Sequence, residues 1–142
     1  MNDLLSASVE IEIPFHDVDA FNVVWHGNYY KYFEIARTAV LRSINYDIPE
    51  MIESGYGWPV IESHCRYINT LVYGMKICVV ATIVEYEHRL KIDYMILDSR
   101  SEKRLAKGYT THAAINMNDA MLCLCTPEVL HEKINTSLNS KN

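Results

Sequence analysis

No apolar run in this 142-residue chain approaches the ~20 residues that a membrane-spanning helix requires. Met1 to Ser8 holds no basic segment followed by a long apolar one, so no signal peptide is expected and the location reads as cytoplasmic. Positive charge is in the minority: 13 Lys and Arg stand against 18 Asp and Glu, a formal net charge of −5. That balance disfavours a nucleic-acid partner held by electrostatics, although a local basic patch can still hold an anionic ligand. Cysteine is scarce, and its four residues (Cys65, Cys78, Cys123, Cys125) form no C-x-x-C pair. A zinc site built with His64 or His112 is one reading; reduced thiols, buried or half-buried, are the plainer one, and no metal is expected. Repeats, low-complexity tracts and internal linkers are absent too. The expectation is one domain over residues 1–142, with 135–142 as a flexible tail.

What is present is a clear pattern of elements. Apolar residues make up 49% of the chain and charged residues 22%, which suits a globular domain and argues against disorder. In Ser8–Phe15, Val9, Ile11, Ile13 and Phe15 alternate with polar neighbours, as in a strand, and Pro14 suggests an edge or a terminus. His16 to Gly27 reads as an irregular loop. Between Asn28 and Ile44, Tyr29, Phe33, Ala36, Val40 and Ile44 recur at intervals of three and four, predicting a well-buried helix with Asn28 as its N-cap. Asn45 to Gly57 is a second loop or a broken helix. Trp58–Tyr67, Met75–Glu87, Leu90–Asp98 and Lys103–Met117 are rich in Val, Ile, Tyr and Thr, predicting four strands. Met75–Val84 is apolar on both alternate faces, the pattern of a strand covered on both sides. Asp98 to Glu102 suits a hairpin loop, and Thr126-Pro-Glu128 opens a short helix. Strands grouped after one helix point to an α+β class. A curved antiparallel sheet wrapped around one long central helix, the hotdog architecture, satisfies this count.

The reactive side chains concentrate in one loop. His16, Asp17, Asp19 and His26 fall within eleven residues, between a strand and the predicted helix. A helix start offers unpaired N–H groups and partial positive charge, which suit an oxyanion. Gly27 lets a ligand approach the backbone. A carboxylate beside that point can activate water or attack a carbonyl. The plainer reading is that Asp, Asn and Gly here are turn and cap residues.

The run Asp17-Val-Asp19-Ala, Val23-Val-Trp-His26-Gly-Asn28-Tyr29, Phe33-Glu34 and Ala36-Arg37 resembles the signature of the 4-hydroxybenzoyl-CoA thioesterase family and its acyl-CoA thioesterase relatives. Gly57-Trp-Pro-Val and Ala106-Lys-Gly-Tyr-Thr-Thr-His112 extend the likeness weakly over most of the chain. The resemblance implies a hotdog fold, a homo-oligomer (a dimer or tetramer) with a site shared between protomers, and hydrolysis of an acyl-CoA or acyl-carrier-protein thioester. It makes Asp19, the second aspartate of the pair, the catalytic carboxylate. It also makes His26 the helix-start position whose backbone N–H polarises the thioester carbonyl, with the ring able to assist. Gly27, Asn28 and Tyr29 fall at structural and pocket-lining positions. Coenzyme A enters as part of the substrate, with no resident cofactor. Phe21 stands where relatives often carry a small residue, so it would reshape the acyl pocket.

Other residues have plainer roles. Asp17 reads as an acceptor that orders the loop, His16 as a loop residue, and Glu34 with Arg37 as an ion pair one turn apart. His64 and His112 lie in strands, where a satisfied or solvent-facing ring is the default. The ten tyrosines suit core and interface positions. His88, Arg89 and Lys91 form a basic cluster at a strand junction that suits either CoA phosphates or a solvated hairpin end. Two competing functions are a hotdog hydroxyacyl-thioester dehydratase pairing His26 with Glu34, and a non-catalytic acyl-thioester-binding protein.

Overall fold

A computed structural model describes residues 5–140. Its elements are β1 (Ser6–Glu12), a 3-10 turn (Phe15–Asp17), α1 (Asn28–Ser43), α2 (Ile48–Ser54), β2 (Tyr56–Gly57), β3 (Val60–Tyr67), β4 (Lys76–Glu85), β5 (Leu90–Asp98), β6 (Arg104–His112), β7 (Ile115–Asn116), β8 (Met121–Leu122) and α3 (Glu128–Ser140). Five strands form an antiparallel sheet in the order β1-β4-β5-β6-β3, and β2, β7 and β8 form a small second sheet. Helix α1 packs against β1 and β4, with Tyr29, Tyr32, Phe33, Ala36 and Val40 buried at the three- and four-residue spacing seen in the sequence. The sequence of α1 is rich in aromatic and β-branched residues of modest helix propensity, so tertiary burial, at ~1.5–3 kcal/mol for each large apolar side chain, holds it.

Against this helix the strands present Val79, Ala81 and Ile83 of β4 and Ile92, Tyr94 and Ile96 of β5, all buried. The Phe33 ring stacks on Tyr94 with centroids 4.5 Å apart and planes within 5°. Gly108 makes room for it: a Cβ there would stand 2.2 Å from the His64 carbonyl oxygen and 2.7 Å from the Phe33 ring. Among the described residues no helix is long and apolar enough to cross a membrane.

Several expectations shift. The strand read as Ser8–Phe15 ends at Glu12, because Phe15 has already entered the 3-10 turn, and β1 is an edge strand as Pro14 suggested. Asn28 is not the N-cap of α1; Gly27 holds that position and the Asn28 amide donates to the Asp17 carbonyl at 2.9 Å. The segment 45–57 contains a complete short helix, closed by an Asp47–Glu50 capping box at one end and by Gly55, φ +84°, at the other. The strand read as 103–117 breaks after His112 at the buried pair Ala113–Ala114, and the chain then turns into β7. One face of β4 is buried as expected, but on the other Cys78, Val80 and Thr82 are only half-buried and Val84 is exposed. The predicted tail, 135–142, is helical through Ser140, with Ser137 buried; residues 141–142 lie outside the described residues. Cys65, Cys78 and Cys123 are half-buried and free, whereas Cys125 is exposed, beside the His88 ring at 3.6 Å.

Candidate active site

The loop between β1 and α1 is built on Asp17. Its carboxylate is 3% exposed and accepts hydrogen bonds from the Lys31 ammonium and, at 2.7 Å, from the Tyr32 hydroxyl. Burial alone would raise the Asp17 pKa; the bonds from Lys31 and Tyr32 and the Lys31 charge outweigh it and hold the carboxyl below its ordinary value. The Asp17 carbonyl accepts from the Asn28 side chain and from the Trp25 N–H at 3.1 Å. One buried aspartate thus ties the loop to the first turn of α1. Neither Lys31 nor Tyr32 stood out in the sequence; Lys31, a lone cation in the aromatic first turns of an otherwise apolar stripe, is the signal that could have been read.

From this anchor a small hairpin projects. Val18 and Val24 form an antiparallel bridge, the Asp19 N–H donates to Val23 and the Asn22 N–H to Asp19. Asn22 adopts φ +64°, which asparagine tolerates in a tight turn. Asp19 is half-buried, and its Oδ1 accepts the Phe21 N–H at 2.8 Å; Oδ2 has no partner among the described residues. Phe21 is 83% exposed at the hairpin tip.

The chain then enters α1 through Trp25, His26 and Gly27. The His26 ring is exposed and lies beside Trp25, and the His26 carbonyl accepts the Tyr67 hydroxyl at 3.0 Å. Among the described residues the backbone N–H groups of His26 and Gly27 find no acceptor. Tyr29 is buried, its ring edge-on to Tyr67 with centroids 4.6 Å apart. Tyr67, absent from the sequence-derived set, holds the helix entrance against β3.

The other candidates lie elsewhere. His88 and Arg89 occupy the turn between β4 and β5, and Lys91 follows, its ammonium 4.4 Å from the Tyr109 ring centroid. β1 pairs Glu12 with Lys76 at the Asp19 end of β4, whereas Lys91 pairs with Glu85 at the other end. Nine strand steps of ~3.3 Å put these basic residues roughly 30 Å from the loop within one chain. Glu34 pairs with Arg37 at 3.3 Å, as expected. A cavity of about 450 Å³ opens beside the second half of α1, lined by Arg37, Thr38, Leu41, Met51, Trp58 and His112 among others.

His112 closes that cavity as a satisfied core residue. Its Nδ1 bonds the Trp58 carbonyl at 3.1 Å, so Nδ1 carries the proton and Nε2 accepts from the Thr110 hydroxyl at 2.9 Å. Thr110 in turn accepts from Tyr94 at 2.7 Å. Burial, with the Arg37 charge second, depresses the His112 pKa from 6.5 to about 4. The unfolded chain therefore binds more protons than the folded one between those values, so stability is lost as pH falls from 6.5 to 4. The shift is worth about 3 kcal/mol. Urea midpoints across this window are expected to fall in the wild type, and His112→Gln is expected to flatten that slope.

A curved antiparallel sheet around one buried helix, with an aspartate hairpin opening that helix, defines a hotdog-fold protein of α+β class. The chain belongs to the thioesterase-like superfamily, whose family model matches residues 13–133. It is similar to the Bacillus subtilis protein named "Putative acyl-CoA thioesterase YneP", 31% identical over 85 residues that cover 60% of this chain and 61% of YneP. Among solved structures it resembles the DHNA-CoA thioesterase from Staphylococcus aureus, with TM-score 0.82 and 22% identity over 96% of this chain and 94% of that one. It also resembles Slr0204, a 1,4-dihydroxy-2-naphthoyl-CoA thioesterase from Synechocystis, with TM-score 0.80 and 21% identity over 91% and 95%.

Proposed function

We propose that the protein hydrolyses an acyl-CoA, or an acyl-carrier-protein thioester, to the free carboxylic acid and the thiol. The observation that carries this reading is the pairing of a half-buried carboxylate with an open oxygen, Asp19 Oδ2, and unpartnered N–H groups at His26 and Gly27. The N–H groups would hold the thioester carbonyl oxygen as negative charge develops on it. Asp19 would either attack the carbonyl carbon, displacing the thiolate and leaving an acyl–aspartate anhydride that water then hydrolyses to the free acid and Asp19, or take a proton from a water that attacks the carbonyl directly. In both cases the C–S bond breaks and the leaving thiolate is protonated.

One chain supplies only part of this site. Among the described residues β3 is a free edge of the sheet: its N–H and C=O groups on one side are unpaired, and its residues are exposed except half-buried Cys65. Pairing with a second copy about a two-fold axis normal to the sheet runs the two β3 strands antiparallel. The Val60 end of one copy then meets the Tyr67 end of the other. That brings the cavity at Arg37, Trp58 and His112, and the basic turn at His88, Arg89 and Lys91, toward the partner's Asp19. The acyl group would enter the former and the CoA phosphates the latter.

A dehydratase would need His26 and Glu34 together. Within one chain His26 precedes α1 and Glu34 lies six helix steps of ~1.5 Å, about 9 Å, beyond Asn28, where it is paired with Arg37; an absorbance assay for enoyl product tests this alternative. Thiol release from short, long and aromatic acyl-CoAs tests the proposal, the aromatic members chosen because one structural relative is named for 1,4-dihydroxy-2-naphthoyl-CoA. Release is expected from at least one member. Acyl-CoA binding with no thiol released from any member, and none from acyl-carrier-protein thioesters, would overturn it in favour of a binding protein.

A further inference from the structure

The phenol of Tyr67 makes a bond that strand pairing does not require. Tyr67 ends β3, and its hydroxyl donates to the His26 carbonyl oxygen at 3.0 Å, 41 residues away in the chain. Its ring stands edge-on to the Tyr29 ring with centroids 4.6 Å apart, and to the His26 ring at 6.2 Å. Tyr67 is 44% exposed, so water could satisfy the hydroxyl and the carbonyl equally well. What the direct bond adds is position. The His26 carbonyl and the Gly27 N–H belong to one peptide unit. In a trans peptide the two point in opposite directions, and no cis peptide occurs among the described residues. Fixing the carbonyl on Tyr67 therefore fixes the direction of the Gly27 N–H, one of the two unpartnered N–H groups at the helix entrance.

That peptide needs a lock. Gly27 has no Cβ to resist a positive φ, so the peptide that joins it to His26 can turn over at little cost. A side chain at this position is no alternative, because a Cβ there would overlap the Trp25 ring. The other bond to the His26 carbonyl, from the Tyr29 N–H, is long at 3.4 Å. We infer that Tyr67 is a positioning residue for thioester hydrolysis, holding the His26–Gly27 peptide so that the Gly27 N–H meets the developing oxyanion; the inference rests on the function proposed above. The bond also polarises the peptide, which makes its N–H a stronger donor. Burial, with Cys65 as the second cause, pushes the Tyr67 pKa up to about 12, so the hydroxyl remains a donor through the neutral range.

Tyr67→Phe removes the hydroxyl and keeps the ring against Tyr29, so the urea midpoint should change little. The kcat for thiol release is expected to fall roughly 10-fold with KM unchanged, a part of the roughly 10²–10³-fold that loss of a whole oxyanion donor costs. A vibrational measurement separates position from packing. The acyl-CoA that the wild type hydrolyses fastest, isotope-labelled at its thioester carbonyl, is bound to Asp19→Asn and to the double variant Asp19→Asn/Tyr67→Phe. Infrared difference spectra are expected to show the carbonyl stretch at higher frequency in the double variant, because the carbonyl is less polarised there. Equal kcat in wild type and Tyr67→Phe would overturn the inference and leave the proposed function standing. A rise in KM alone, or a lower urea midpoint with the carbonyl frequency unmoved, would make Tyr67 a packing residue and overturn it as well. No thiol release by the wild type from any acyl-CoA or acyl-carrier-protein thioester would remove the proposed function, and this inference with it.

Discussion

Asp19→Asn is expected to lower thiol release about 10²–10⁴-fold, the span over which a positioned acid–base group usually contributes. The substitution is nearly isosteric. The asparagine amide oxygen can still accept the Phe21 N–H that Asp19 Oδ1 accepts at 2.8 Å, so the hairpin should keep its shape and the unfolding midpoint should hold. What is lost is the negative charge and basicity at the open oxygen. The loss belongs to the chemical step, so kcat should fall with little change in KM. Equal rates in the two proteins would move the catalytic role off Asp19. Single-turnover hydrolysis in heavy-oxygen water separates its two possible roles: label found first in the aspartate side chain would exclude direct attack by water on the thioester.

The neighbouring aspartate is expected to behave in the opposite way. Asp17→Ala removes the acceptor shared by Lys31 and the buried Tyr32 hydroxyl. Tyr32 is then left with a buried, unpaired O–H, a cost of about 1–3 kcal/mol; the half-exposed Lys31 can turn to water and adds little. A total of roughly 2–3 kcal/mol should appear in urea unfolding. The Tyr32 hydroxyl, held well above the ordinary phenol range by burial and then by Asp17, does not ionise to relieve the loss. The pH signature separates the contributions. The folded Asp17 pKa is lowered below 3.8, so its stabilisation is present above that value and disappears as pH falls through the folded pKa. The variant should lack this acid limb while keeping the His112 limb between 6.5 and 4. An unchanged midpoint at neutral pH would show that the loop does not depend on Asp17.

Much of this was legible because it is local. The spacing of Tyr29, Phe33, Ala36 and Val40 is a property of one helix, and α1 ends within one residue of the predicted boundary. Leu90–Asp98 is a strand over the expected range, and the Asp98 side chain accepts the Arg100 and Ser101 N–H groups in the expected hairpin loop. Asp47, Pro49, Glu50 and Gly55 carry complete start and stop signals for α2, and a segment read as loop or broken helix proved to be a helix with both ends capped.

The sequence by itself determined most element types, the α+β class and the loop that holds the reactive groups, since these follow from periodicities and turn chemistry within a few residues; the hotdog wrapping followed from the family resemblance. The resemblance had told the two aspartates apart, and the tertiary structure supplied the physical difference: Asp17 is buried with its carboxylate on Lys31 and Tyr32, while Asp19 is left half-buried on the hairpin. Only it placed His112 inside and Cys125 outside, and set His88, Arg89 and Lys91 at the far end of the sheet from Asp19. Those outcomes depend on strand order and register. β3 precedes β4 in the chain yet lies beyond β6, at the opposite edge from β1, because antiparallel pairing is chosen by burial across the whole sheet and not by adjacency in sequence.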